Sequence, residues 1–323
     1  MAKHAVRASR LPRVKPYADR LAAAIERCGN PCLIGLDPHI DLLPEEFAIA
    51  RDRSAPRAVR ARAIGDFCLE ILALCRGRVP AVKPQSAFFE VFGADGAAQW
   101  ERVVVAAHAA DLLVIGDVKR GDIASTAAAY ATAFLEGVGG DGPTLCDAVT
   151  LSPFLGADSI EPFLAACQRT GTGIYVLVRT SNKGSADFQR HGEPELSLRI
   201  ADKVVAWGQT LRGASGWSSV GAVVGATHAA ELRMFRERMP NTPLLLPGYG
   251  AQGAGAADIV DAFRAANGAT QLAGALVNSS RGVLFAERDA AHKGKAWRTA
   301  SRDALEHMVA DITRALGVVG AAR

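Results

Sequence analysis

Asp117-Val118-Lys119-Arg120-Gly121-Asp122 places two carboxylates and a lysine within six residues. Asp117 and Lys119 are two apart, and on a β-strand that spacing puts both side chains on one face with Cα atoms about 6–7 Å apart. Asp122 follows a glycine, which lets the chain turn. Lysine held between carboxylates keeps its proton, because neighbouring negative charge favours the charged form. It can then protonate a developing carbanion. Carboxylates placed beside a substrate carboxylate repel it, and the repulsion is relieved as carbon dioxide leaves. The non-catalytic alternative is a salt-bridge network of structural charges.

A second constellation lies near the end of the chain: Pro247-Gly248-Tyr249-Gly250-Ala251-Gln252-Gly253 and Asn278-Ser279-Ser280-Arg281-Gly282. Gly-rich turns offer backbone N–H groups to phosphate oxygens, Arg281 adds a planar donor fork, and Gln252 adds an amide. The glycines also permit a mobile lid. Gly248 to Gly253 spells G-x-G-x-x-G, but Asn267–Leu272, about 20 residues on, contains no acid for a ribose, so a dinucleotide fingerprint is a weak reading. A P-loop sequence does not occur.

These residues need a frame. Eight short apolar runs recur: Cys32–Leu36, Val79–Lys83, Leu112–Lys119, Ala148–Ser152, Ile174–Arg179, Val220–Gly225, Leu244–Gly248 and Ala275–Ser279. They are apolar almost throughout, as strands buried on both faces are. Segments at helical spacing lie between them, including Ala97–Ala110, Ser159–Gln168, Glu195–Leu211 and His228–Met239. The alternation predicts an α/β fold, a single (β/α)8 TIM barrel over residues 1–323, with a doubly wound open sheet as competitor. Residues 41–62 read as an insertion after the first strand, 183–194 as an exposed loop, and 286–303 as a charged approach to the last helix. Barrel chemistry sits at the C-terminal ends of strands. Polar residues fall there in turn: Asp37, Lys83, Asp117 with Lys119, Ser152, Ser181 with Asn182, Thr227, Gln252, and Ser279 with Ser280 and Arg281. Lone buried charges cost several kcal/mol, so charges closing three successive strands must be paired or in use.

Composition narrows the function. The chain has 323 residues, 49% of them hydrophobic, and a net charge of +4 from 37 basic and 33 acidic residues. That balance does not call for nucleic acid as a partner. Residues 1–16 are the exception, with Lys3, His4, Arg7, Arg10, Arg13 and Lys15 and no acid before Asp19. They read as a flexible basic tail, with a transit peptide as the sharper alternative. No apolar run is long enough for a membrane span. The six cysteines form no C-x-x-C pair and read as reduced core residues of a cytoplasmic protein. The seven histidines show no zinc-site spacing, so no metal is expected.

Asp117-x-Lys119-x-x-Asp122-Ile123-x-x-Thr126 resembles the signature of the orotidine 5'-phosphate decarboxylase family, in its longer bacterial subgroup. The resemblance covers about residues 30–285 and extends to Gly35-Leu36-Asp37-Pro38, Lys83-Pro84-Gln85, Thr150-Leu151-Ser152-Pro153, Arg179-Thr180-Ser181-Asn182, Pro247–Gly253 and Ser279-Ser280-Arg281-Gly282. It implies a carboxy-lyase of pyrimidine biosynthesis that converts orotidine 5'-phosphate to UMP and carbon dioxide without metal or organic cofactor. It implies that Lys119 protonates C6 and Asp117 faces the scissile carboxylate. Asp37 and Lys83 would contact the ribose, Ser181 or Asn182 the base, and Gln252 and Arg281 the phosphate. Asp122, Ile123 and Thr126 would reach into a partner's site, making a homodimer with shared active sites.

Two competing functions are separable. A related sugar-phosphate barrel shares D-x-K-x-x-D but holds magnesium with acids; here Lys83, not an acid, ends the second strand. A nucleotide-sensing barrel would keep Gln252 and Arg281 but has no need of the charged cluster.

Overall fold

The computed structural model describes residues 14–138, 145–225, 229–249, 255–265 and 267–318. Eight strands form one closed parallel barrel in sequential order. They are β1 (Cys32–Leu36), β2 (Ala81–Pro84), β3 (Leu113–Arg120), β4 (Ala148–Leu151), β5 (Gly173–Arg179), β6 (Val220–Val224), β7 (Leu244–Pro247) and β8 (Ala275–Ser279). Each matches an expected apolar run to within two residues, and β1 pairs with β8 to close the ring. The fold is therefore a (β/α)8 TIM barrel. Helices Gly93–Ala109, Glu161–Thr170, Leu196–Gly208 and Ala229–Arg238 fill the expected helical segments.

Alternation along the strands sorts the core into two shells. Ile34, Leu36, Val82, Val114, Val149, Val176 and Val277 face outward against the helices. Leu33, Ala81, Ile115, Ala148, Tyr175, Val223, Leu245 and Leu276 face inward and pack with Tyr17, Leu21 and Ile25. The latter three belong to the helix Tyr17–Cys28, which plugs the N-terminal end of the barrel. Gly29 stops that helix in the left-handed conformation, φ 67°, which glycine adopts without strain. Tyr17 and Tyr175 share a 3.0 Å hydroxyl–hydroxyl hydrogen bond inside the barrel. Glycines make room for these rings: a Cβ on Gly173 would lie 2.5 Å from Tyr17, and one on Gly221 2.4 Å from Tyr175. The same helix is tied to the wall by Arg20, which pairs with Asp147 just before β4. Asp147 also meets His108 at 3.1 Å and accepts the Val114 N–H at 2.8 Å. Burial opposes its charge, but these donors hold its carboxyl below the usual range.

The segment 41–62 is only partly the insertion expected. Its first part forms 3-10 turns, Ile40–Leu42 and Glu45–Ala50, and its last residues already belong to the barrel helix Arg57–Cys75. Phe47 packs edge-on against both Phe67 and Trp297, with centroids 5.5 and 5.9 Å away. Arg298 then bridges Glu46 and Glu70. Residues 183–194 carry a 3-10 turn and the short helix Ala186–Gln189. Residues 286–303 form two 3-10 turns and the start of the last helix, Trp297–Ala315. The basic tail lies outside the described residues except for 14–16. Among the described residues no helix is long and apolar enough to cross a membrane. Cys32, Cys68, Cys75, Cys146 and Cys167 are buried and Cys28 half-buried, all as free thiols.

Candidate active site

The inward positions change character one layer above the apolar floor. Two residues past Leu33, Ala81, Ile115, Ala148 and Leu276 stand Gly35, Lys83, Asp117, Thr150 and Asn278. The last four, with side chains further along the strands, line a cavity of about 580 Å³ at the C-terminal mouth. Its wall includes Asp37, His39, Lys83, Gln85, Asp117, Lys119 and, after the neighbouring β8, Arg281 on one side, and Thr180, Ser181 and Asn182 after β5 on the other.

Asp117 is the hub. Its Oδ2 accepts from Lys83 Nζ at 2.6 Å and Gln85 Nε2 at 3.1 Å. Its Oδ1 accepts from Lys119 Nζ at 2.6 Å and Thr150 Oγ1 at 2.9 Å. Burial by itself would raise the Asp117 carboxyl, but Lys83 and Lys119 reverse this and drive it far below the ordinary carboxylate range. Lys83 is fully enclosed, which disfavours its charge, yet Asp117 and Asp37 outweigh the burial and raise it. The pair is thus ionic on both sides, and removing Asp117 would leave the buried Lys83 without its hydrogen-bonded carboxylate, at a cost of about 3–5 kcal/mol. Lys119 differs: its side chain is 47% exposed to the cavity, so its ammonium reaches a ligand from the Asp117 side. Asp37, one residue beyond β1, has Oδ1 buried with no hydrogen-bond partner.

The backbone explains how Lys119 gets there. The β3–β4 ladder runs in register at Gly116 and Val149, then shifts before Arg120 pairs with Leu151. Inside this bulge Lys119 has φ 43°, a left-handed conformation that costs a side-chain-bearing residue about 1–3 kcal/mol. Arg120 turns outward to pair with Glu90 and lies over the Tyr130 and Phe134 rings.

The sequence-derived candidates divide into four groups. Asp37, Lys83, Asp117, Lys119, Ser181, Asn182 and Arg281 converge on the cavity. Asp122, Ile123 and Thr126 do not line it: they follow β3 on the surface, with Ile123 50% exposed and Asp122 accepting the Ile123 N–H at 2.8 Å. Gln252 and Thr227 lie outside the described residues. Ser279 ends β8 as expected but faces away, because Asn278 and Ser280 hold the inward parity, and Ser152, one residue beyond β4, does not line the cavity. Gln85, Thr150 and Asn278 were the residues to find, and counting in twos from the apolar floor would have found them. Gln189 could not be found that way. It comes from the 183–194 segment, where its amide accepts the Thr180 N–H and donates to Thr180 Oγ1, both at 2.8 Å, and so holds the loop bearing Ser181.

Arg281 forms no ion pair among the described residues and lines the cavity where β8 ends. The result is a cavity with a cation at one rim, a saturated carboxylate–lysine network at its floor and uncharged donors and acceptors opposite. It suits a small anionic ligand with a polar ring.

Residues 34–296 match the family model described as orotidine 5'-phosphate decarboxylase / HUMPS family. An orotidine 5'-phosphate decarboxylase of Rhodopirellula baltica is 44% identical over 275 residues, spanning 84% of this chain and 89% of that protein. The orotidine 5'-phosphate decarboxylase of Deinococcus radiodurans is 45% identical over 219 residues, spanning 68% of this chain and 76% of its own. The solved structure of Leishmania donovani OMP decarboxylase superposes with a TM-score of 0.70 at 31% identity, covering 94% of this chain and 100% of that one.

Proposed function

The chain belongs to the orotidine 5'-phosphate decarboxylase / HUMPS family, and on that premise we propose that it is a carbon–carbon lyase converting orotidine 5'-phosphate to UMP and carbon dioxide in pyrimidine biosynthesis. The observation that carries this reading is the Asp117 carboxylate gripped by Lys83 and Lys119, each at 2.6 Å, on the cavity floor.

Arg281 binds the 5'-phosphate, with Gln252 as its second ligand. Asp37 and Lys83 take the ribose hydroxyls, a role that gives the unpartnered Asp37 oxygen a donor. Ser181 or Asn182 meets the pyrimidine. The substrate carboxylate then lies against Asp117, which stays ionised and so repels it. Breaking the bond from C6 to the carboxyl carbon releases carbon dioxide and leaves the electron pair at C6. Lys119 Nζ delivers a proton to that pair and afterwards recovers one from water. No metal or organic cofactor takes part. Asp122, Ile123 and Thr126 complete the site of a second copy, so the working form is a cytoplasmic homodimer. The exposure of Ile123 and Thr126 supports this, as do Val91 at 67%, Phe154 at 76% and Leu155 at 50% on the loops beside them.

An ultraviolet assay of orotidine 5'-phosphate loss, with and without EDTA, tests the proposal. We expect turnover unchanged by EDTA, and Lys119→Ala to abolish nearly all of it while UMP still binds. Loss of activity to EDTA, or normal turnover in Lys119→Ala, overturns the mechanism.

A further inference from the structure

We infer that Thr150 is a positioning residue for the proton donor: its one hydroxyl sets both the Asp117 carboxylate and the strained backbone of Lys119. The inference rests on the decarboxylase reading for its kinetic arm but stands on geometry of its own.

Thr150 lies on β4 opposite the bulge in β3 and is 1% exposed. The register shift denies the Lys119 N–H a regular strand partner, and Thr150 Oγ1 accepts it instead at 3.0 Å. An N–H can only donate, so the hydroxyl hydrogen must point elsewhere. Asp117 Oδ1, 2.9 Å away, can only accept. The direction of both bonds is therefore forced. The hydroxyl takes from Lys119 and gives to Asp117, while Lys119 Nζ returns to the same Asp117 oxygen at 2.6 Å. The closed circuit runs from Lys119 backbone to Thr150, to Asp117, to the Lys119 ammonium. It fixes where the ammonium stands relative to the carboxylate and supports a left-handed residue that would otherwise relax. Valine has the same shape without the hydroxyl, so Thr150→Val opens the circuit without leaving a hole.

The test compares wild type, Thr150→Val and Thr150→Ser. In Thr150→Val we expect kcat to fall about tenfold to a hundredfold, with KM and UMP affinity nearly unchanged. Thr150→Ser, which restores the hydroxyl, should return kcat to within about threefold of wild type. A second readout needs no turnover: the rate at which acetic anhydride labels the Lys119 amine, read by peptide mass spectrometry, should rise several-fold in Thr150→Val and not in Thr150→Ser. A residue that only filled space would lower the unfolding midpoint and leave kcat and labelling alone. Unchanged kcat and labelling in Thr150→Val, or a serine variant as impaired as the valine one, overturns the inference. If the wild type does not consume orotidine 5'-phosphate, the functional reading fails by itself, and labelling alone decides the role of Thr150. Should Thr150→Val not fold, Thr150→Ala removes the same hydroxyl and is read by the same outcomes.

Discussion

A carboxylate offers about four lone-pair sites, and Asp117 has four donors on it: Lys83, Gln85, Lys119 and Thr150. No lone pair is left for a ligand, so in the proposed reaction Asp117 would act on the substrate by charge and not by a hydrogen bond. Arg281 is its opposite, a cation without an ion-pair partner among the described residues. As the phosphate ligand it should discriminate. Arg281→Ala is expected to weaken UMP binding by about 2–3 kcal/mol and leave uridine binding unchanged, as titration calorimetry of both ligands would show. Equal losses for nucleotide and nucleoside would remove Arg281 from the phosphate site.

At the scale of elements, strand parity does two jobs at once. The same two-residue period that sends Leu33, Ile115 and Leu276 into the floor sends Lys83, Asp117 and Asn278 into the cavity above it. The floor must be rigid for the charged layer to keep its spacing, and it is rigid because aromatic side chains interlock with glycines. Tyr175 fills the space over Gly221, where an added Cβ would also lie 2.9 Å from the Pro243 carbonyl. Overpacking of this kind costs about 1–3 kcal/mol. Gly221→Ala should lower stability by that amount in urea unfolding, on the β6 strand well below the cavity. An unchanged urea midpoint would mean that the tyrosine moves freely and the floor is softer than its packing indicates.

For the whole molecule, one stretch of chain serves two places. Asp117 and Lys119 turn into the barrel, whereas Asp122, Ile123 and Thr126, a few residues on, stay on its surface. Gly121 makes the change of direction, packed so tightly that an added Cβ would lie 3.1 Å from the Ser152 carbonyl. In a homodimer with shared sites, Asp37→Ala and Asp122→Ala proteins are each inactive. Mixed and allowed to exchange subunits, they should recover activity, because one site of each heterodimer then has both aspartates intact. No recovery in verified heterodimers would return Asp122 to its own subunit's site.

Much of this was legible in the sequence. Runs of apolar residues separated by amphipathic segments specify strands buried on both faces, and eight of them close a barrel, so Asp37, Lys83, Asp117, Lys119 and Arg281 could be assigned to its mouth from their positions at strand ends. Local spacing determines which face a side chain takes, and that was enough to unite Asp117 with Lys119. It could not reveal contacts between distant segments. Thr150 meets Lys119 only because β4 lies beside β3 with a bulge in the ladder, and Gln189 reaches Thr180 only because its segment folds back over β5. The same limit governed Asp117 to Asp122. The spacing showed one charged run, and only the closed barrel separates it into two lysine-bound oxygens facing inward and a carboxylate left outside, because the curvature of the wall, not the order of residues, decides which side is in.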